Sequence, residues 1–271
     1  MYKEGLKMRY IVDNDLHIHS KISLCSNDDN QTNERILQYA KENNLKTICL
    51  TDHFWDESIE CKSKWYSRQP YSHIAKAMPL PQDEKIRFLF GCETDIDYNF
   101  NIGISKEKMD LFDFIVVPTT HLHMKGFTVR EKDVETPEML ADIWVKRFDK
   151  LLDMDLPFEK IGIAHLTCNL MAPERENVLK LIEKIPEEKM EYLFNKAKNL
   201  GAGIELNAFD MNFKDDEADI ILRPYKIAKK CGCKFYCASD AHHPEDFEKT
   251  KEILEKAVSL LELTENDKFI I

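Results

Sequence analysis

The sequence predicts an α/β fold built on a parallel sheet, organised as a single domain over residues 1–271. Seven apolar runs of strand length alternate with segments of helical periodicity, which is the pattern of βαβ units. The runs are near-continuous rather than alternating in polarity, as expected for strands buried on both faces. No linker rich in Gly, Ser or Pro divides the chain. These patterns allow either a closed barrel or an open, doubly wound sheet.

The predicted strands are short runs rich in aliphatic, aromatic and cysteine side chains. They cover residues 10–12, 47–50, 87–90, 114–117, 161–164, 203–206 and 234–238.

Helical patterns fill the intervals between these strands. Ile36, Leu37 and Ala40 mark the first helix. Thr136 and Pro137 open a longer one, with an N-cap residue followed by proline at the first helical position. Its apolar stripe consists of Leu140, Ile143, Trp144, Phe148, Leu151 and Leu152.

Three further helices are predicted in the second half of the chain. One begins at Pro186 and stops at Gly201, another runs to about Lys230, and the last covers roughly residues 244–263. The Cys-Gly-Cys segment at 231–233 predicts a helix end at glycine rather than a metal clip, because no second cysteine pair accompanies it.

Residues 54–81 form the least regular stretch and are predicted to be an insertion over one mouth of the sheet. The stretch is rich in aromatic residues. Two roles are open for these side chains: they stack on a ring in the substrate, or they simply pack. The side chains concerned are Trp55, Trp65, Tyr66 and Tyr71.

Composition narrows the classes of function. The net charge of −11 argues against broad binding to nucleic acid or to an anionic membrane surface. Residues 1–7 lack the apolar core of a secretory signal, and no apolar run is long enough to span a bilayer. With no export signal, the eight cysteines favour a reduced, cytoplasmic protein. The oligomeric state is not determined by these features.

Polar residues that bind metals follow nearly every predicted strand. His17 and His19 have the i, i+2 spacing that places two side chains on one face of a strand. The carboxyl ends of parallel strands meet at one edge, so these residues are expected to converge. The others in the set are His53, Glu93, His121, His165, Asp240 and His242.

Six imidazoles and two carboxylates are enough for two or more divalent ions. This ligand set suits Zn, Mn or Fe better than an all-oxygen set would. A carboxylate can bridge two ions, and the predicted nucleophile is a metal-bound hydroxide. Asp52, beside His53, is as well suited to a supporting or helix-capping role as to ligation.

Motifs of other enzyme classes are missing from the sequence. There is no Gly-x-Ser-x-Gly elbow or Walker loop, and no Gly-x-Gly-x-x-Gly follows a strand. A thiol nucleophile at Cys25 or Cys168 is conceivable, but the sequence marks neither as activated.

The ordered set of motifs resembles the polymerase and histidinol phosphatase (PHP) superfamily, and within it the histidinol-phosphatase-type enzymes. The resemblance extends from Asp13 to about Asp246. The motifs that carry it are Asp-Leu-His-Ile-His-Ser at 15–20, Thr-Asp-His at 51–53, Gly-Cys-Glu at 91–93, His121, His165, Ile-Glu-Leu-Asn at 204–207 and Ser-Asp-Ala-His at 239–242.

This resemblance implies a distorted TIM-like (β/α)7 barrel that holds up to three metal ions. By the resemblance, His17 and His19 bind the first ion with Glu93 and Asp240. Glu93 bridges to a second ion held by His121 and His165. The third ion is assigned to His53 and His242.

Cys25 departs from the family pattern, which usually has Asp or His at this position. Three possibilities are open: Cys25 is a thiolate ligand, Asp28 from the same loop replaces it, or the third ion is absent or weakly held.

The leading prediction is a metal-dependent phosphoesterase that acts on a small phosphorylated metabolite, with Glu93, Asp240 and Arg223 as catalytic candidates. Arg223 is favoured as the phosphate-binding cation over Lys21, Lys125, Arg130 and Arg175. The alternatives are an amidohydrolase-like enzyme, a non-catalytic metal-binding regulatory module and, least favoured by the acidic charge, a DNA-proofreading role.

Overall fold

The computed structural model describes residues 8–271, so the segment 1–7, in which no secretory signal is predicted, lies outside the described residues. Parallel strands separated by helices dominate the described part of the chain. The strands are β1 (Asn14–Ile18), β2 (Thr47–Leu50), β3 (Arg87–Phe90), β4 (Cys92–Glu93), β5 (Ile115–Pro118), β6 (Ile161–Ala164), β7 (Gly203–Asn207) and β8 (Lys234–Ala238).

The strands form one sheet of order β1-β2-β3 and another of order β4-β5-β6-β7-β8, with every pair parallel. Hydrogen bonds also connect the two sheets at the end of β1 and just after β8. The Asp240 amide donates to the His17 carbonyl at 2.8 Å, and the His19 amide donates to the Ala241 carbonyl at 3.0 Å. The predicted α/β fold with parallel pairing is thus confirmed, while its closure as a barrel stays a prediction.

Gly91 separates β3 from β4 and joins the sheets at their other edges. Its amide donates to the Leu50 carbonyl at 2.8 Å, and the next amide, of Cys92, donates to the Phe114 carbonyl at 3.1 Å. A Cβ atom at position 91 would lie 2.4 Å from the Phe114 carbonyl oxygen, closer than van der Waals contact allows. Glycine therefore lets the chain change pairing partner immediately before Glu93.

The helices occupy most of the predicted positions. They are α1 (Asn33–Glu42), α2 (Tyr71–Ile74), α3 (Lys106–Met109), α4 (Pro137–Leu152), α5 (Arg175–Lys184), α6 (Glu187–Leu200), α7 (Ala208–Met211), α8 (Ala218–Ile221), α9 (Arg223–Cys231) and α10 (Thr250–Leu260). The Thr136 side chain accepts from the Met139 amide, which confirms the predicted N-cap of α4. Gly232 ends α9 in the left-handed conformation, as predicted for a helix end.

Some of the predicted elements differ from the structure, most clearly at the first strand, at α5 and at the last helix. The first strand is β1 rather than residues 10–12, because Tyr10 bonds instead to the Leu263 carbonyl through its amide and to the Phe235 carbonyl through its hydroxyl. Helix α5 was not predicted. The last helix begins at Thr250, because residues 244–247 form a 3-10 turn and Lys249 has a positive φ of 63°.

The apolar core lies mostly where helices pack on the sheets. A second, smaller cluster gathers side chains from six strands and the C-terminal segment: Leu16, Cys49, Leu89, Phe114, Val116, Ala164, Tyr236, Ala238 and Phe269. Within residues 8–271, none of the helices combines the length and apolar composition needed to cross a bilayer.

Candidate metal centre

The predicted metal-binding residues converge at the carboxyl ends of the strands. His17 lies in β1 and Glu93 in β4, while the others lie within a few residues after a strand end. Two of them, His165 (φ 32°) and Asp240 (φ 56°), adopt positive φ, which is uncommon for residues other than glycine. Such strain persists where the surrounding structure fixes the backbone, and it is frequent at functional sites.

The first group is made by His17, His19, Asp240 and one oxygen of Glu93. The Nε2 atoms of His17 and His19 are 3.1 Å apart. Each lies 3.3–3.4 Å from Asp240 Oδ1 and from Glu93 Oε2. Two imidazoles and two carboxylates therefore face one point.

The second group is made by Glu93, His121 and His165. Glu93 Oε1 lies 3.3 Å from His165 Nε2 and 3.9 Å from His121 Nε2. Since Oε2 of the same carboxylate faces the first group, Glu93 stands between the two groups with one oxygen toward each. This is the arrangement that a bridging carboxylate requires.

The third group contains Cys25. Ligand atoms of His19, Cys25, His53 and His242 lie within 4.8 Å of one another. Asp28, the alternative to Cys25, instead lies 3.4 Å from His243 Nδ1 and outside this group. Burial raises the pKa of the Cys25 thiol well above its ordinary value, so a thiolate there requires a cation close by.

The spacing of these atoms fits a metal ion. Around a tetrahedral zinc ion with bonds of about 2.0–2.1 Å, neighbouring ligand atoms are about 3.3–3.4 Å apart. The first group has separations of 3.1–3.4 Å. Within the described residues, the buried Nδ1 of His19 has no hydrogen-bond partner. His19 belongs to both the first and the third group, so at least one buried nitrogen at this centre is available to a ligand.

The electrostatics of the first group also favour a cation. Burial by itself lowers the pKa of His17, but the carboxylates of Asp240, Glu205 and Glu93 raise it more, so it lies well above its ordinary value. Burial raises the pKa of Asp240, but His17 and His19 lower it far below its ordinary value. A buried cluster of carboxylates with these shifts is stabilised by positive charge, which divalent ions supply.

Two imidazoles of the third group, those of His53 and His242, are kept neutral by their surroundings. Burial lowers the pKa of His53 well below its ordinary value. Burial and the neighbouring His19 lower the pKa of His242 to about 4. Neutral imidazole is the form that binds metal ions.

Glu205, which lies on β7, orients two of the candidate ligands. Its Oε1 is 2.7 Å from His17 Nδ1, and its Oε2 accepts from the His165 amide at 2.6 Å. A separation of 2.7 Å is a hydrogen bond and is shorter than that between two ligands of one tetrahedral zinc ion. Glu205 therefore keeps a proton on Nδ1 of His17 and leaves Nε2 free for a metal.

Asp95 has the same role for His121. Its Oδ2 lies 2.7 Å from His121 Nδ1, and its Oδ1 accepts from Arg147 at 3.1 Å. Arg147 is fully buried and also donates to the carbonyls of Thr119, Ile96 and Thr128. Neither Asp95 nor Arg147 was singled out from the sequence. The sequence signal for Arg147 is its position on the apolar stripe of α4, three residues after Trp144, whereas Asp95 lies between other acidic residues and has no such signal.

Asp52 has a supporting role. Its two oxygens accept from the Ser20 amide and the Ser20 hydroxyl, each at 2.7 Å. It therefore anchors the chain just after His19. Asn207 donates to Asp240 Oδ2 at 3.2 Å and to Glu205 Oε2 at 3.2 Å, and so connects a candidate ligand to its support.

The structure does not bring Arg223 to this centre. Arg223 begins α9, where its guanidinium donates to the Ile182 carbonyl at 2.8 Å. Arg175 pairs with Glu217 at 2.8 Å, and Arg130 donates to Asn99. Of the basic residues predicted for phosphate binding, Lys125 lines the cavity beside the centre. Lys62, which sequence reasoning missed, lines it as well.

The cavity has a volume of about 600 Å³. Residues 54–81 contribute part of its wall and include a 3-10 turn, Tyr66–Arg68, and helix α2. Of their aromatic residues, Trp65 and Tyr66 line the cavity, whereas Trp55 is buried and Tyr71 packs near Phe90. Trp55 and Tyr71 therefore pack, whereas stacking on a substrate ring stays a prediction for Trp65 and Tyr66.

The fold resembles that of two solved structures. One is histidinol phosphate phosphatase from Lactococcus lactis subsp. lactis, complexed with zinc, L-histidinol and phosphate, with a TM-score of 0.60 and 14% identity over 97% of this chain and 100% of that chain. The other is a candidate histidinol phosphatase from Listeria monocytogenes, with a TM-score of 0.60 and 13% identity over 87% of this chain and 97% of that chain. At these identities the likeness is one of fold.

No curated protein matches the chain significantly. The family model for the PHP domain matches residues 15–209. This match begins two residues before His17 and includes Glu93, His121 and His165. The family model covers more than half of the chain. The two solved structures share the fold of this chain along nearly their whole length. The chain belongs to the PHP domain family.

Proposed function

We propose that this protein is a metal-dependent phosphoesterase that hydrolyses a small phosphorylated metabolite. The observation that carries the proposal is the position of Glu93 between two imidazole groups, with one carboxylate oxygen toward each. The family assignment supports it. The Lactococcus enzyme, whose structure contains zinc, L-histidinol and phosphate, supports the chemical class.

His17, His19, Glu93 and Asp240 would hold one ion, and Glu93 with His121 and His165 a second. A third would be held by the Cys25 group defined above. When bound, such ions activate water near neutral pH and stabilise the charge on a transferring phosphoryl group.

The rest of the chain keeps these ligands in place. Glu205 and Asp95 hold His17 and His121 in the tautomer that presents Nε2 to the centre. Asn207 fixes one oxygen of Asp240. The cavity wall shields the reaction from bulk water on one side and leaves an opening for a small ester.

The proposal is tested by phosphate release from a panel of monoesters, with the protein as isolated and after adding Mn, Zn or Mg. We expect turnover to be faster with Mn or Zn, because imidazole ligands suit these ions better than Mg. If no monoester is hydrolysed while amides or lactones are, the protein is an amidohydrolase-like enzyme. If no hydrolysis of any kind accompanies tight metal binding, it is a regulatory module.

We also infer that the two sheets close as a distorted (β/α)7 barrel, in a single domain with residues 54–81 as an insertion. The hydrogen bonds between the sheets at both edges support the closure. A reducing, cytoplasmic location is supported by the eight cysteines, all of which are free.

A further inference from the structure

We propose that the substrate carries an apolar or aromatic organic group that is neutral or anionic, and that esters bearing a cationic amine are disfavoured. This inference rests on the proposed phosphoesterase function and specifies its substrate class. It follows from the two halves of the cavity, which differ in chemistry.

The inner half of the cavity is the candidate metal centre, and the phosphate of an ester would lie there. The carboxylates that line the cavity, Glu93 and Asp240, both belong to this half. Each lies within 3.4 Å of the Nε2 atoms of His17 and His19. Neither carboxylate is therefore available to the organic part of a substrate.

The outer half is largely apolar. Trp65, Met124, Phe127 and the half-exposed Leu170 line it. Trp65 stands edge-on to His53, with ring centroids 4.8 Å apart, so its ring borders both the third ligand group and the outer cavity. An aromatic group attached to the phosphate would meet this ring and gain stacking and burial energy.

This apolar wall packs against a cluster of buried aromatic side chains. Trp55, Tyr66 and Phe127 form a small core of their own, and Trp65 and Met124 pack against it. Ring centroids within the core are 5.1–5.8 Å apart. This small core therefore supports Trp65 of the insertion and Met124 outside it, and the wall is formed before a ligand binds.

The charges of the outer half are positive. Lys62 and Lys125 line it, and no carboxylate does. Within residues 8–271 neither lysine lies within 4 Å of a carboxylate; Lys62 also lines a neighbouring cavity, and the carboxylates of Glu60 and Asp97 belong to that cavity rather than to this one. The Lys62 ammonium instead donates to the Tyr98 hydroxyl and lies 4.4 Å from the centroid of that ring.

The remaining titratable side chain of the outer half does not change this balance. That side chain, His123, stands edge-on to His121 with ring centroids 5.5 Å apart, and an imidazole adds no negative charge in either protonation state. An ammonium group on the substrate would find two cations and no anionic partner here. A carboxylate or an uncharged group would not be repelled by the two lysines.

The test uses three esters of similar size, 2-(4-X-phenyl)ethyl phosphates in which X is methyl, carboxylate or aminomethyl. The charge is remote from the ester bond, so the alcohol leaving group has nearly the same intrinsic reactivity in all three esters. We expect kcat/KM for the aminomethyl ester to be about five- to tenfold below the methyl ester, as for two partly exposed like charges. The carboxylate ester should equal or exceed the methyl ester.

The variant Lys125→Glu should narrow or reverse the difference between the aminomethyl and carboxylate esters. Lys189→Glu is the matched control, because Lys189 is exposed on α6, outside the cavity, and the change in net charge is the same. It should leave the order of the three esters unchanged. In Trp65→Ala, the advantage of 2-phenylethyl phosphate over ethyl phosphate should fall.

The inference is overturned if the aminomethyl ester is the best of the three, or if Lys125→Glu leaves their order and ratios unaltered. Binding of the three matched phosphonates, measured by calorimetry, separates this outcome from failure of the proposed function. If no ester is hydrolysed but the phosphonates bind in the expected order, the cavity preference stands and the phosphoesterase proposal fails. Equal or inverted binding refutes the cavity preference itself.

Discussion

Glu205→Gln should weaken metal binding without changing any candidate ligand. The carboxylate accepts from His17 Nδ1 and from the His165 amide at 2.7 and 2.6 Å. Asn207 and Tyr236 donate to it at longer distances, 3.2 and 3.4 Å. A glutamine keeps the shape but offers one acceptor oxygen and one NH2 group. In either orientation the NH2 group therefore faces donors.

The size of the loss in metal affinity depends on which hydrogen-bond donor is left without an acceptor. If the NH2 group faces His17, the ring must move its proton to Nε2, the atom that faces the first group. If it faces the His165 amide, a buried backbone donor loses its partner. Losing one hydrogen bond to a charged group costs about 1.5–3 kcal/mol, which corresponds to a weakening of metal binding by about 10- to 100-fold.

The assay is zinc binding to metal-free protein in competition with a chromophoric chelator. Glu217→Gln is the control, because it also removes a carboxylate that accepts hydrogen bonds, in this case from Arg175, away from the centre. Urea unfolding of both metal-free variants separates a loss of metal affinity from a loss of fold. If Glu205→Gln folds and binds zinc as tightly as the control does, Glu205 does not set the His17 tautomer.

Three further predictions concern the metal count and the insertion. Glu93→Gln should lose both metal and activity in elemental and rate measurements, because one carboxylate faces two groups; full retention of metal would exclude a bridging role. Cys25→Ser should remove one metal equivalent, and Cys25→Asp should shift preference from Zn toward Mn, because soft sulfur favours zinc; unchanged counts and preference in both variants would make Cys25 a bystander. Asp56→Asn should destabilise the fold by about 2 kcal/mol at pH 7. Burial would raise the pKa of Asp56, but hydrogen bonds from Ser105, Ser58 and Lys108 lower it to about 2. This stabilisation is complete above about pH 4 and is lost as the pH falls toward about 2; in urea titrations, a variant-to-parent difference that does not shrink below pH 4 would contradict it.

Local sequence signals were sufficient to predict most of the strands and the convergence of polar residues at their ends. The runs at 47–50, 87–90, 161–164 and 234–238 match β2, β3, β6 and β8 residue for residue. Buried parallel strands are continuous in hydrophobicity, and the polar residue that follows such a run lies at the carboxyl edge. The sequence pattern missed β1, because three of its five buried residues are polar, namely Asn14, Asp15 and His17.

The residues that orient the candidate ligands could not be found this way. Glu205 is 188 positions from His17, and Asp95 is 26 positions from His121. Each pair forms because two side chains on neighbouring strands or loops point toward each other in the folded protein. Arg223, the basic residue favoured from the sequence, instead donates to the Ile182 carbonyl of α5, because α9, at whose start it lies, packs against α6.

The sequence by itself determined the alternation of strands and helices and the chemical types of the site residues, since hydrophobic periodicity and residue identity are local properties. Only the tertiary structure decided which residues meet. It folds the loop after β1 so that Cys25, rather than Asp28, lies with His19, His53 and His242. That loop is held by long-range hydrogen bonds, from Ser26 to the His242 carbonyl and from the Leu24 amide to Gln69. These bonds join segments that no local pattern relates, because their energy depends on three-dimensional packing.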